Sequence, residues 1–199
     1  HPRLQGRHFQ VYAKGIQVGG MSSSVRKEAT LVQYAKDFLL TVYWAVKSGL
    51  KYDVFIGFDN LNAFAGWVLK KLGVVNKCVF YVVDYSPLRF ENRLLNWIYH
   101  KIESFCALHC DETWNLCERM VAARMTFKGI GRDQCGIQKI APMGIWHDEM
   151  PRVAEGDIKY HQLVYMGAIT KKQGVQFVIE AIPTILASVP DFSFLVIGD

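Results

Sequence analysis

The chain has 199 residues, of which 51% are hydrophobic and 21% charged, with a formal net charge of +5. That balance excludes a disordered chain and suffices for one or two packed domains of roughly 100–200 residues. The longest apolar run, Phe38 to Val46, is far short of the ~20 residues that span a bilayer, and the polar start His1-Pro2-Arg3 predicts no signal peptide.

Residues 8–14 predict a short strand, and Gly19-Gly20 with Ser22 to Ser24 a loop. Ser24 is the expected N-cap of a helix from Val25 to Ser48, with Lys27 and Glu28 in its first turn and Gly49 as its stop. The second half of that helix, FLLTVYWAV, is apolar nearly all round. It is therefore expected to be buried, with a place on a membrane surface as the other reading. Tyr52 to Phe58 is a continuous β-type run, Asn62 to Leu72 reads as a helix ended by Gly73, and Lys77 to Val83 is the next strand. Asp84-Tyr85-Ser86-Pro87 is a turn, and residues 91–109 form a long amphipathic helix. Asp111 to Leu116 predicts a short strand, with a helix following through Arg124. Lys128 to Gln138 reads as a Gly-rich loop, and Lys139 to Ala141 as a brief strand closed by Pro142-Met143-Gly144.

Residues 147–161 are polar and carry Pro151 and Gly156, so they are the expected interdomain linker. A strand at 162–166, a loop at 167–173, a helix at 174–188 and a strand at 192–197 follow. Pro183 is expected to kink that helix. Strands alternating with helices predict an α/β fold with parallel sheets. The domains read as 1–146, lacking its first elements, and 162–199, the start of a second. A His rather than a Met at position 1, and a last strand that would need neighbours on both sides, predict a chain cut at both ends.

The basic residues are scattered rather than massed, which fits a solvated surface as well as anionic partners such as phosphates, acidic lipids or nucleic acid. Five cysteines without paired spacing argue against a disulfide scaffold and predict a reducing, cytoplasmic setting. Cys106, His109, Cys110 and Cys117 lack the second matched half of a structural zinc site, so they read as buried thiols and no metal is expected.

The sharpest local signal is MGAITKKQGVQFVIEA, residues 166–181. Gly167 ends a strand and Gly174 opens a helix, so backbone can approach a ligand closely. The N–H groups of the first helical turn attract anions, and Lys171 and Lys172 supply point charges. A βα turn with solvent-facing lysines has the same pattern. Asp84 lies after a strand, at the sheet edge where open α/β sheets bind ligands, with Arg89 five residues on. Asp59 and Asn60 hold the corresponding place after the preceding strand, and all four also suit ordinary turn chemistry.

The run LVYMGAITKKQGVQFVIEAIPTILASVPDFSFLVIGD resembles the opening of the donor domain of glycosyltransferase family 4, the retaining enzymes of GT-B fold. The matching positions are Gly167, Lys172, Gln173, Gly174, Glu180-Ala181 and Gly198-Asp199. Upstream, the strand opening at Asp53, the Asp84-Tyr85-Ser86-Pro87 turn, the stretch from Asp111 through Trp114-Asn115 to Arg119-Met120, and Pro142-Met143-Gly144 are similar to segments of the same family. Ala168, Val83 and Met143 stand where many members have Arg, His and Asn.

The resemblance implies two Rossmann-like domains and transfer of a sugar, with retention, from a nucleoside-diphosphate sugar to a glycan, a lipid-linked molecule or a small molecule. It implies catalytic roles for Lys172 and Asp84, and diphosphate binding by Gly167, Lys171, Lys172 and Gly174. Acceptor or sugar contacts would come from Asp59, Asn60, Asp84 and Arg89. No cofactor beyond the nucleotide sugar and no nucleic acid are implied. The basic charge would suit a peripheral contact with an anionic inner membrane face. The family's glutamate pair and N-terminal glycine-rich loop have no counterpart in the sequence, so these residues alone are expected to be inactive. The alternatives are a non-catalytic nucleotide-sugar-binding module and a GT-B-type sugar-nucleotide epimerase.

Overall fold

The computed structural model describes residues 7–24 and 30–198, and of Thr30, Glu149 and Lys172 the backbone alone. The chain forms two compact units, His1–Gly144 and Ile145–Asp199.

The first unit opens with a hairpin of β1 (Arg7–Ala13) and β2 (Ile16–Ser23), paired antiparallel. Lys14 and Gly15 both take positive φ at the turn, the geometry whose twist suits a two-residue hairpin. The loop expected at Gly19-Gly20 and Ser22 to Ser24 is thus largely strand. Its glycines are poor β-formers, but Gly19 pairs with Val11 and Gly20 with Gln10, and cross-strand pairing overrides propensity.

Helix α1 (Thr30–Lys47) follows. The cap at Ser24 and the first turn with Lys27 and Glu28 involve residues 25–29, outside the described ones. The apolar half of α1 is not buried all round. Trp44 and Ala45 are buried, whereas Leu39, Tyr43 and Val46 face out. The physical reason is position: α1 packs on the next helix, touches the hairpin with Phe9 against Trp44, and packs Ala45 beside Leu69 and Val75, which leaves Leu39, Tyr43 and Val46 on its outer face.

The body of the unit is β3 (Tyr52–Phe58), α2 (Asn60–Lys71), β4 (Val75–Val82), α3 (Arg93–His109), β5 (Glu112–Asn115), α4 (Glu118–Lys128) and β6 (Ile137–Ile140). The four strands pair in parallel in the order β3-β4-β5-β6. Right-handed crossovers in such a sequential order place every connecting helix on one face of the sheet. The core agrees: Cys78, Phe80 and Val82 of β4 pack against Ala63 of α2 and Cys106, Ala107 and Cys110 of α3. The loop expected over 128–138 is cut short, because Ile137 and Gln138 find partners on β5.

The opposite face carries alternate residues of each strand. Phe58, Tyr81 and Trp114 form an aromatic row across it, with centroids 5.0 and 5.9 Å apart. Beside them Glu112, almost fully buried, accepts from Lys77 at 2.6 Å, Lys139 at 3.0 Å and the Trp114 indole at 2.6 Å. These donors hold its pKa down at about 2. At the N-terminal edge Asp111 accepts the Cys78 N–H at 2.9 Å and pairs with Lys70. Together these contacts lower its pKa, although burial works the other way.

The second unit contains β7 (Gln162–Met166), α5 (Val175–Ser188) and β8 (Ser193–Ile197), with the two strands parallel and in register. The segment expected as a linker, 147–161, belongs to this unit and carries 3-10 turns at His147–Glu149 and Glu155–Asp157. Pro183 lies inside α5 and does not end it. Among the described residues, no helix is long and apolar enough to cross a membrane.

Candidate functional site

In the first unit the residues singled out from the sequence gather where β3 and β4 end. Asp59 follows β3 and caps α2, its carboxylate accepting the Asn60 N–H at 2.8 Å. Its backbone lies at φ 70°, ψ 164°, a region that only glycine visits easily. The strain is held by a bond on each side. The Asp59 N–H donates to the Tyr81 carbonyl at 3.1 Å, and its carboxylate accepts the Tyr99 hydroxyl from α3 at 3.0 Å. Burial, then the Asp59 charge, pushes the Tyr99 pKa well above the usual phenol value.

Asn60 is buried and its amide donates to the Tyr99 carbonyl at 2.8 Å, so it ties α2 to α3. Asp84 and Arg89 form an ion pair across the turn after β4. Burial works to lower the Arg89 pKa, but Tyr99, Asp84 and Asp59 outweigh it and raise the pKa. Asp59, Asn60, Arg89 and Tyr99 also line a cavity of about 310 Å³ that reaches between α1, α2 and α3. Asp84 is not part of this lining and is joined to it through Arg89.

A buried network supports this loop, and sequence reasoning missed it. Arg124 of α4 donates to Glu103 of α3 at 2.8 Å, and both are essentially sealed from solvent. The guanidinium also reaches Asn115 of β5 at 3.4 Å and lies 5.9 Å from the Tyr85 ring centre. Burial and the nearby Glu103 raise the Tyr85 pKa. One turn along α3, His100 Nε2 is 2.9 Å from the Pro87 carbonyl, which also accepts from Asn96 at 3.1 Å. Asn96 Oδ1 in turn accepts the Arg89 N–H at 2.8 Å. The Asp84-Tyr85-Ser86-Pro87 turn and Asn115 are therefore parts of one scaffold that fixes where Asp84 and Arg89 sit. The available signal was His100 and Glu103, three residues apart among apolar neighbours of α3, where a buried charge needs a partner.

The Cys106 thiol donates to the Asn60 carbonyl at 3.3 Å, a structural contact beneath the site. Cys106 and Cys110 lie in the core, with Cys110 Sγ 3.6 Å from Cys78 Sγ. The bond to Cys110 and then burial raise the Cys78 pKa far above the ordinary thiol value. Cys117 is exposed at the start of α4. Among the described residues, no group of three or more His, Cys, Asp or Glu side chains could hold a metal ion.

In the second unit Gly167, Lys171 and Gly174 share one βα connection. Lys171 opens a 3-10 turn, Lys171–Gln173, and is exposed; the side chain of Lys172 lies outside the described residues. Gly174 takes φ 76° and leads directly into α5, which has no side-chain cap. In its first turn the Phe177 N–H donates to the Gly174 carbonyl at 3.0 Å, and no side chain caps the turn. The Gly167 N–H donates to the Ile197 carbonyl at 3.0 Å. A Cβ added to Gly198 would collide with the Gly167 carbonyl oxygen, so the ends of β7 and β8 approach as only bare backbone can. No family model matches the chain, and no match to it is found among curated proteins.

Proposed function

We propose that the chain belongs to a retaining, nucleotide-sugar-dependent glycosyltransferase of GT-B fold, with the first unit on the acceptor side and the second on the donor side. The observation that carries this reading is the paired glycine contact at the ends of β7 and β8. Gly167 and Gly198 are both motif positions of the resemblance, and they meet at the strand ends, where α/β sheets bind ligands. Beside them are Lys171 and the uncapped start of α5, two sources of positive potential suited to a diphosphate.

In the proposed reaction the bond between the sugar's anomeric carbon and the nucleoside diphosphate breaks. A bond from that carbon to an acceptor hydroxyl oxygen forms on the same face. The hydroxyl proton passes to the departing diphosphate oxygen, on which negative charge builds. Lys171, Lys172 and the α5 terminus meet that charge. Asp84, held by Arg89, and Asp59 accept hydrogen bonds from sugar or acceptor hydroxyls. The exposed Leu39, Tyr43 and Val46 of α1, next to Lys47, support a peripheral contact with an anionic membrane surface.

The test is to incubate the full-length protein with UDP- and GDP-sugars and measure nucleoside diphosphate release with and without acceptor. Acceptor-dependent release that falls when Lys171 and Lys172 are both replaced by Ala supports the reading. Binding without release indicates a non-catalytic module. Release with an altered free sugar and no acceptor indicates an epimerase.

A further inference from the structure

We infer that the cavity between α1, α2 and α3 binds a small neutral amphiphile, an alkyl or aryl glycoside. Its apolar body would lie among the helices and its sugar hydroxyls on Asp59. The inference rests on the reading of the first unit as the acceptor side.

The wall is aromatic. Tyr34 and Phe38 of α1 face Phe64 of α2, with Phe90 and Tyr99 completing the enclosure. Phe38 stacks on Phe64 at 5.4 Å, Phe90 meets Tyr34 edge-on at 6.3 Å, and Phe90 meets Tyr99 at 5.7 Å. These contacts fix the rings as a preformed surface rather than a collapsible gap. The volume, about 310 Å³, is at the lower end of the range for small-molecule sites. It admits a short chain or an aromatic aglycone and is too small for a long lipid.

The polar end selects against an anion. Among the described residues Arg89 is the one cation lining the cavity, and Asp84, outside the lining, already holds it. Asp59 is the carboxylate that lines the cavity, and with the Arg89 charge offset by Asp84 it leaves the polar end negative. A phosphate head would meet net repulsion there, whereas a carboxylate that only accepts hydrogen bonds suits the hydroxyls of a sugar. Asp59 is also kept in place at a backbone cost, anchored by the α2 start and by Tyr99.

Isothermal titration of the full-length protein with hexyl β-glucoside, below its micellar concentration and without donor, tests this. Hexyl glucoside should bind, with glucose and hexyl phosphate at least about tenfold weaker. Ala35→Trp places an indole in the cavity from the exposed side of α1 and should abolish that binding, with the unfolding midpoint as the control for folding. Asp59→Asn keeps a capping side chain that tolerates positive φ. It should weaken hexyl glucoside and narrow the gap to hexyl phosphate.

Equal or tighter binding of hexyl phosphate, tighter binding of hexylammonium, no binding of hexyl glucoside, or an unchanged affinity in Ala35→Trp would each overturn the inference. Sugar transfer to glucose in a protein that does not bind hexyl glucoside would keep the glycosyltransferase reading and sink this one. Binding that Ala35→Trp blocks, in a protein that never turns over a nucleotide sugar, would do the reverse.

Discussion

The two units use the same strand–helix–strand grammar, yet they hold themselves together differently. In the first, β4 is the second of four strands and is covered by α2 and α3; Cys78, Val79 and Phe80 are sealed and even Arg124 is inside. In the second, two strands and one helix leave Leu163, Leu195, Ile197 and Phe177 substantially exposed, and among its described residues Val175 alone is buried. Parallel strands are normally covered on both faces, and local pattern alone does not supply that cover. The first unit has the buried scaffold needed to hold Asp59 in strain and Asp84 against Arg89. The second presents backbone, a glycine contact and a lysine at its strand ends.

The largest expected effect is at the buried ion pair. Arg124→Met should cost about 3–5 kcal/mol, because Glu103 is left charged and alone, and adding Glu103→Leu should recover much of the loss. Urea denaturation of both variants checks it. A loss below about 1 kcal/mol would break the contrast between the units. Next, Phe80→Ala should cost about 3–4 kcal/mol, while Leu195→Ala, at a position 44% exposed, should cost less than about 1.5. Similar losses at the two sites would show that the second unit is better packed than its burial implies.

A smaller effect concerns acid. The Glu112 pKa is depressed to about 2, so its contribution is present above the ordinary carboxylate value near 4.5. That contribution is lost as pH falls through the interval from 4.5 to 2. Its lysine partners are half in solvent, which brings the contribution to about 1–3 kcal/mol. The unfolding midpoint of Glu112→Gln should therefore start lower at pH 7 and fall less steeply over that interval. The smallest expected change in stability is at Lys171→Ala. The unfolding midpoint should stay within about 0.5 kcal/mol of the parent while affinity for a nucleoside diphosphate drops severalfold.

Much of the alternation was legible because β-type runs such as Tyr52 to Phe58 and glycine stops such as Gly73 are local signals. What was not legible depended on partners far along the chain. The hairpin strand through Gly19 and Gly20 exists because β1 lies beside it. The exposed side of α1 reflects its place at the outside of the layer. Ile137 joins a strand because Glu112 is its neighbour.

At the candidate site, Asp59 and Asp84 could be assigned to strand ends from pattern. Tyr99, His100, Glu103 and Arg124 could not, since helix periodicity says which face is inward but not which polar side chains meet there. Gly167 and Gly198 were singled out by resemblance, and the contact between them gives the physical reason both are glycine.

The most direct test of the account is the anomeric configuration of the product. The full-length protein, given a UDP- or GDP-α-sugar and hexyl β-glucoside, should yield an α-linked disaccharide by proton NMR, with one nucleoside diphosphate released per bond formed. A β-linked product would contradict retention. The absence of any linked product, for every donor and for both amphiphilic and simple sugar acceptors, would contradict the account as a whole.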